Sequence, residues 1–150
     1  MEMACSRLAD AQIRLRPHDR LVDAVIGLES LLLAGLRNED RRGELKFRFS
    51  SHYSALFAAP EDRLRAFRVA KDLYDLRSTI AHGGMPREGN CRVGDERLSL
   101  QDAALRACEV LRFVVRHFLP QTTAAPYKQP QFWERAYFGL PPEEVASVGM

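Results

Sequence analysis

Residues 60–84 read PEDRLRAFRVAKDLYDLRSTIAHGG and carry the signals of one long helix from its start to its stop. Proline is favoured at a first helical position, and the two acidic residues that follow complement the helix dipole. Apolar side chains then recur mostly every three or four residues, which is the period of an amphipathic helix. Glycine just past a helix end closes it in the left-handed conformation. The stretch predicts a helix that begins at Pro60 and ends at Gly83.

Two further helices are predicted before this stretch. Apolar residues at steps of mostly three and four, over residues 21–36, predict a helix that begins near Pro17 and stops near Asn38. Residues 45–57 predict a second helix with an apolar face of leucine, phenylalanine and tyrosine. A charged connector over residues 39–43 separates the two.

After the long helix, the sequence predicts a loop and a fourth main helix. Residues 83–98 contain four glycines and Pro86, so we expect a loop, and we find no strand pattern strong enough to build a sheet. Ser99 and Asp102 resemble a capping box, which opens a helix that Pro120 stops.

Residues 120–150 differ from the rest because five prolines leave room for only one short helix, near residues 131–137. We expect their aromatic side chains to pack on the bundle or on a partner subunit, and a disordered tail is the alternative. We therefore predict an all-α fold, a bundle of four main helices plus a short C-terminal helix. Its parts are an N-terminal segment (1–16), the bundle (17–119) and a proline- and aromatic-rich extension (120–150).

Composition limits the class of protein. A chain of 150 residues, 46% apolar and 28% charged, suits one globular domain. Its longest apolar runs are far shorter than the ~20 residues that a membrane span needs, and we see no secretory signal at its start. Cys5, Cys91 and Cys108 form no C-x-x-C pair. We therefore expect reduced thiols in a cytoplasmic protein, with no disulfide framework or zinc ribbon.

Several common kinds of site are missing from the sequence. It contains no Walker loop, no dinucleotide glycine fingerprint, no H-E-x-x-H and no nucleophile elbow. Its four histidines are scattered, so we expect neither a metal nor a cofactor. The net charge of +2 is small, but 19 of the 22 basic residues are arginine, whose guanidinium suits phosphate. A GC-rich genome that favours arginine codons explains the same bias.

The end of the long helix holds the candidate site. At ~100° per residue, Asp75 and Ser78 lie on nearly the same stripe as His82, and Arg77 lies about 140° away with a side chain long enough to reach the terminus. An imidazole moves a proton, and a guanidinium grips phosphate oxygens, so these residues suit phosphate chemistry. A helix-end histidine beside a surface arginine is the structural alternative.

Residues around this pair have supporting roles in the hypothesis. We expect Asp75 to pair with His82 and raise the pKa of that histidine; the alternative is a solvated acid. Tyr74 is expected in the core one turn below Arg77; the alternative is that its hydroxyl orients the guanidinium. Ser78 is expected to hydrogen-bond the imidazole.

A second group of candidates lies on the earlier helices. Lys46, Arg48 and His52 fall within two turns and are candidates for a phosphate-binding patch, although an exposed helix face explains them equally well. Glu29, on the polar flank of the first predicted helix, is expected to bind Arg77 or Arg48.

Arg77 and His82, with four residues between them near the end of the third predicted helix, resemble the R-x4-6-H motif of HEPN domains ("higher eukaryotes and prokaryotes nucleotide-binding"). The string YDLRSTIAHG at 74–83 looks most like the Apea-type branch of that family. GLESLL at 27–32 is similar to the first helix of the branch, and ELKFRF at 44–49 is similar to its second.

The resemblance covers residues 17–119 and implies a metal-independent endoribonuclease of toxin–antitoxin, abortive-infection or CRISPR systems. Active members dimerise, so that two motifs meet in one cleft. There the RNA 2′-hydroxyl attacks the adjacent phosphate and leaves a 2′,3′-cyclic phosphate. Carried onto this chain, His82 is the general acid or base and Arg77 stabilises the phosphorane charge. Ser78 departs from the pattern, because Asn, Asp or His usually follows the arginine in catalytic members.

The family also contains inactive relatives that bind a nucleotide, an RNA or a protein partner, and this is the alternative function. The implied partners are RNA, a second copy of the chain, and an antitoxin or defence-complex protein, with no membrane. A plain helical dimerisation domain is a third interpretation of the same sequence.

Overall fold

The computed structural model describes residues 1–36, 44–87, 89–121 and 125–140, and within them the chain is mostly helical. Six helices and one small antiparallel hairpin make up its regular structure, with two short 3-10 turns at Leu119–Gln121 and Pro126–Lys128. The elements are, in chain order, α1 (Glu2–Ile13), α2 (Pro17–Leu32), α3 (Leu45–Ala55), α4 (Pro60–Ala81), β1 (Cys91–Val93), β2 (Glu96–Leu98), α5 (Leu100–Phe118) and α6 (Pro130–Tyr137). The predicted all-α class is therefore confirmed.

The long helix α4 begins and ends where the sequence predicts. Pro60 is its first residue, and its C-terminus closes in a double glycine turn with Gly83 at a φ of 79°. The Gly84 N–H donates to the Thr79 carbonyl at 2.9 Å, and the Gly83 N–H donates to the Ile80 carbonyl at 2.9 Å. This pair of bonds is the Schellman motif, and it fixes the end of α4 at its candidate site.

The start of α5 also follows local capping chemistry. The Ser99 hydroxyl oxygen accepts a hydrogen bond from the Asp102 backbone N–H at 3.0 Å. The same hydroxyl donates to the Asp102 carboxylate at 2.7 Å, which fixes the orientation of the Ser99 side chain. The predicted N-cap is thus confirmed.

Helix α2 ends earlier than the sequence predicts. Its last residue is Leu32, and Gly35 turns the chain away with a φ of 81°. Leu36, which the periodicity placed on the helix, lies beyond it. The predicted stop at Asn38 and the connector at 39–43 lie outside the described residues.

The core is built where α2 packs against α1 and α5, and where α3 packs against α4. Helix α2 also contacts α4, which brings the two helix pairs together. The largest side chains without exposed surface come from α2, α3, α4, α5 and β1: Leu21, Val25, Leu28, Leu31, Leu32, Phe49, Leu73, Val93, Leu111, Val114 and Phe118.

A hairpin occupies part of the region for which we predict a loop, residues 83–98. Cys91–Val93 pairs with Glu96–Leu98 in an antiparallel register. The Gly94 N–H at its turn donates to the Asp72 carboxylate of α4 at 2.9 Å. The prediction of no sheet is wrong, because strands of three residues are too short to show alternation in the sequence.

The N-terminal helix and the described part of the C-terminal extension, residues 125–140, both pack on the bundle. Helix α1, for which we predicted no element, is held to α2 by Asp23, which accepts hydrogen bonds from Arg7 Nη1 at 2.8 Å and Arg14 Nε at 2.7 Å. In the tail, the buried Trp133 donates through Nε1 to the Tyr127 carbonyl at 3.0 Å. Within the described ranges, no helix has the length and apolar character that crossing a membrane requires.

Candidate functional site

Arg77 points from α4 toward α2, where it meets Glu29. Arg77 Nη2 lies 3.3 Å from Glu29 Oε2, and both side chains are mostly buried. The expected partnership of Glu29 with one of the two arginines is therefore confirmed for Arg77. The Nε of Arg77 is buried and has no hydrogen-bond partner among the described residues.

This ion pair lies on the wall of an open cavity of about 540 Å³. We call it the Arg77 cavity. Its polar lining comes from Glu29, Ser30, Tyr74 and Arg77, and its apolar lining includes Met3 of α1 and Ile26 and Leu33 at the α2 end. Cavities of this size accept ligands as large as a nucleotide.

Burial sets the electrostatics of this cavity. It raises the pKa of Glu29, and the Arg77 guanidinium only partly offsets that rise. The pKa of Tyr74 is also raised, first by burial and then by the negative charge of Glu29. The Tyr74 ring packs on Phe49 with the ring centres 5.4 Å apart, so this residue is half in the core, as predicted. Burial disfavours the charged form of Glu29 and so weakens its ion pair with Arg77. An anionic ligand therefore competes more easily with Glu29 for the Arg77 guanidinium.

His82 lies at the C-cap of α4, with a φ of −90°, and its side chain is exposed. Its backbone N–H donates to the Ser78 carbonyl at 3.1 Å. No hydrogen bond or ion pair joins its imidazole to another residue in the part of the chain that the structure describes. The structure therefore does not bring His82 and Arg77 into contact within one chain.

Asp75 takes a different partner from the expected one. Its carboxylate oxygens lie 3.0 and 3.2 Å from Lys46 Nζ on α3, so the predicted pairing with His82 is wrong. Angular position on one helix does not reveal what the neighbouring helix offers. Ser78, half-buried on the same stripe, has no side-chain hydrogen bond to the imidazole in the described ranges.

Lys46, Arg48 and His52, the predicted phosphate-binding patch, all lie on α3, but their side chains point to two different regions. Lys46 turns to Asp75, whereas Arg48 and His52 line a second cavity of about 620 Å³ between α3 and α6. We call it the α3–α6 cavity. The residues Ala34, Gly35 and Leu36 line both cavities, so a single turn of chain separates them.

His52 is a buried structural residue and not part of an exposed phosphate patch. Its Nδ1 hydrogen-bonds the Leu32 carbonyl, and its ring stacks on Trp133 with ring centres 4.1 Å apart and planes 2° from parallel. Burial lowers the pKa of His52 to about 4. The imidazole is therefore neutral at pH 7, which removes it from the list of phosphate-binding cations.

Arg63 is a residue whose role the sequence did not reveal. Its guanidinium donates to three carbonyls, those of Phe57, Tyr137 and Ala136, at distances of 2.7, 3.1 and 3.2 Å. It thereby fastens the end of α6 to the start of α4. Three carbonyls contributed by two distant segments leave no local signal in the sequence.

The described residues contain no group of three or more histidine, cysteine, aspartate or glutamate side chains arranged to hold a metal ion. Comparison with family models, with curated proteins and with solved structures finds no match to this chain.

Proposed function

We propose that this chain is a HEPN-type, metal-independent endoribonuclease in which Arg77 holds an RNA phosphate and His82 transfers a proton. The 2′-hydroxyl of the RNA is the nucleophile, so a 2′,3′-cyclic phosphate and a 5′-hydroxyl form as the P–O5′ bond breaks. His82 takes the proton from the 2′-hydroxyl or gives one to the leaving oxygen. The biological setting of the proposal is a toxin or a defence component.

The observation that supports the proposal is the state of the Arg77 guanidinium. It lies on the wall of an open cavity, its Nε has no partner among the described residues, and its one ionic partner is a carboxylate with a raised pKa. A guanidinium on the wall of an open cavity is suited to bind phosphate oxygens, because its planar fork of donors matches their geometry.

A second copy of the chain is part of this proposal. Arg77 pairs with Glu29 of α2, whereas the His82 side chain is exposed at the C-cap of α4, so we propose that the two groups acting on one phosphate come from different chains. We propose a twofold dimer in which the exposed His82 of one chain lies near the Arg77 cavity of the other, which would complete the pair. Twofold dimers are the commonest assemblies of soluble proteins.

The test is incubation of the full chain with a mixed RNA pool in EDTA, followed by analysis of the fragment ends. We expect cleavage with cyclic phosphate ends, and a loss of at least about a hundredfold in rate for Arg77→Ala and for His82→Ala. The matched controls are Arg65→Ala, an exposed arginine on the same helix, and His18→Ala, a half-exposed histidine on α2. Wild-type protein that leaves the pool intact contradicts the nuclease.

Glu29→Gln adds a sharper arm to this test. Removal of the carboxylate frees the Arg77 guanidinium and takes one negative charge out of the cavity, so we expect RNA to bind several-fold more tightly. Weaker binding in this variant, matching Arg77→Ala, contradicts a phosphate role for Arg77 and assigns the pair to structure alone.

The second candidate function is a HEPN module that binds RNA without cutting it. Among the described residues, no hydrogen bond or ion pair orients the exposed His82 imidazole, and this favours the binding module because a general base is usually oriented by a partner. RNA binding without cleavage, lost in Arg77→Ala and kept in His82→Ala, identifies this function.

A further inference from the structure

The α3–α6 cavity combines three chemical features that no step of the proposed reaction uses. It has an arginine whose guanidinium has no hydrogen-bond partner among the described residues, a neutral imidazole whose Nε2 no described residue contacts as a donor, and exposed aromatic rings at its rim. The cavity is also held open by fixed walls, which makes it a preformed site.

Arg63 fixes the α6 wall of this cavity. The Arg63 guanidinium donates hydrogen bonds to the backbone carbonyls of Phe57, Tyr137 and Ala136 and thereby holds α6 against the start of α4. Trp133 adds a second anchor through its hydrogen bond to the Tyr127 carbonyl. Walls held by backbone bonds lose little entropy when a ligand enters.

Arg48 is the cation that the cavity leaves available. Its nearest ionic partner among the described residues is Glu44, and the Nε–Oε2 distance of 3.8 Å is too long for a hydrogen bond. A guanidinium with its donors unused at a cavity wall favours an anion with several oxygens, such as a phosphate. Arg48 thus supplies the site for the charged end of a ligand.

His52 supplies an acceptor in the same cavity. Its Nδ1 faces the Leu32 carbonyl, which only accepts, so Nδ1 carries the proton and Nε2 carries the lone pair. No described residue donates to Nε2, and the residue as a whole keeps a relative exposure of 5%. The lowered pKa of His52 keeps the ring neutral, so this acceptor suits an N–H or O–H of a ligand.

Phe47 and Tyr137 supply the flat apolar surface. Both line the cavity, with relative exposures of 61% and 39%. Exposed aromatic rings beside a cation are the features on which nucleobases stack in proteins that bind single nucleotides or single strands. The volume of about 620 Å³ is in the range of small-ligand sites.

From these features we propose that the α3–α6 cavity binds a nucleotide, with its phosphate on Arg48, its base against the aromatic rim and a base or sugar hydrogen donated to His52 Nε2. The nucleotide is either free or one unit of an RNA strand, since both present the same chemistry. This site is separate from Arg77 and His82, and it does not depend on the proposed cleavage.

The test uses Trp133, the single tryptophan of the chain, because it lines this cavity and its fluorescence reports directly on occupancy. Full-length protein is titrated with AMP, with adenosine and with a short 2′-O-methyl oligonucleotide, which has no 2′-hydroxyl to attack its own backbone. A response to AMP identifies a free nucleotide as sufficient, and a response to the oligonucleotide alone identifies an RNA strand. Either supports the proposal.

Arg48→Gln and its control complete the test. We expect AMP to bind at least about tenfold more tightly than adenosine, and we expect Arg48→Gln to abolish that difference. If only the oligonucleotide binds, we expect Arg48→Gln to lower its affinity by the same factor. Arg65→Gln, on α4 outside this cavity, is the matched control. Absence of any Trp133 response, or a response that Arg48→Gln leaves unchanged, overturns the proposal.

Arg77→Ala separates this site from the proposed nuclease. We expect this variant to bind AMP as the wild type does, because Arg77 lines the other cavity. Nucleotide binding by a protein that does not cut RNA therefore removes only the proposed function, whereas cutting without a Trp133 response removes only this site.

Discussion

The neighbours of His52 determine its protonation. Burial lowers its pKa from 6.5 to about 4, the hydrogen bond to Leu32 raises it by less, and the positive charge of Arg48 lowers it further. Between these two values the unfolded chain binds a proton that the folded chain does not. The contribution of His52 to stability is therefore complete above pH 6.5 and is lost as the pH falls toward 4.

This linkage gives a prediction for stability against pH. Between pH 7.5 and pH 5, we expect the wild type to lose about 2 kcal/mol more unfolding free energy than His52→Gln, which keeps a donor for Leu32 but does not titrate. Urea unfolding at the two pH values measures the difference. Equal losses in both proteins contradict a buried, neutral His52.

At the residue scale, the sequence predicted one side-chain partnership between helices and missed another. Glu29 was placed on the polar flank of its helix, and it meets Arg77 as expected. The partner of Asp75 was wrong because helical spacing relates residues of one element only, and Lys46 reaches Asp75 from a different helix. The stacking of His52 on Trp133 joins residues 81 positions apart, and no local pattern indicates it.

Helix ends with local capping chemistry were predictable at the element scale. The start of α4 at Pro60, its glycine stop and the Ser99 cap of α5 each depend on residues within a few positions of one another. Helix α1 was missed because its buried face is formed by small residues, Ala4 and Ala11, which give a weak hydrophobic pattern. The hairpin was missed because its strands are short.

Two glycines with the same backbone conformation give a matched prediction for these elements. Gly35 and Gly83 have φ values of 81° and 79°. A Cβ on Gly83 meets nothing within 4 Å, whereas one on Gly35 collides with the Lys128 carbonyl at the wall between the two cavities. Gly83→Ala is expected to cost about 1 kcal/mol for the left-handed backbone alone.

We expect Gly35→Ala to cost about 1–3 kcal/mol more than Gly83→Ala, because overpacking against a carbonyl adds to the same backbone strain. Urea unfolding of both variants measures it. Equal losses of stability in the two variants would show that Lys128 does not pack on the turn after α2. They would thereby contradict the wall that the two cavities share.

At the scale of the whole molecule, the N-terminus meets the described part of the C-terminal extension. The Met1 amino group lies 3.1 Å from the Tyr127 hydroxyl, and the aromatic tail packs through Trp133 on α3 and α5. Prolines and aromatic residues predicted a packed tail with a short helix. They did not indicate which surface it covers, because contacts across more than a hundred residues depend on the complete fold.

The proposed function requires that Arg77 of one chain and His82 of another act on one phosphate. The most direct test of this requirement mixes Arg77→Ala and His82→Ala proteins, each expected to be inactive alone, under conditions that allow subunit exchange. Half of the dimers then combine the two variants, and each holds one intact pair. We predict recovery of about one quarter of the wild-type cleavage rate. A mixture as inactive as its two components, with exchange confirmed by differently tagged chains, contradicts the claim.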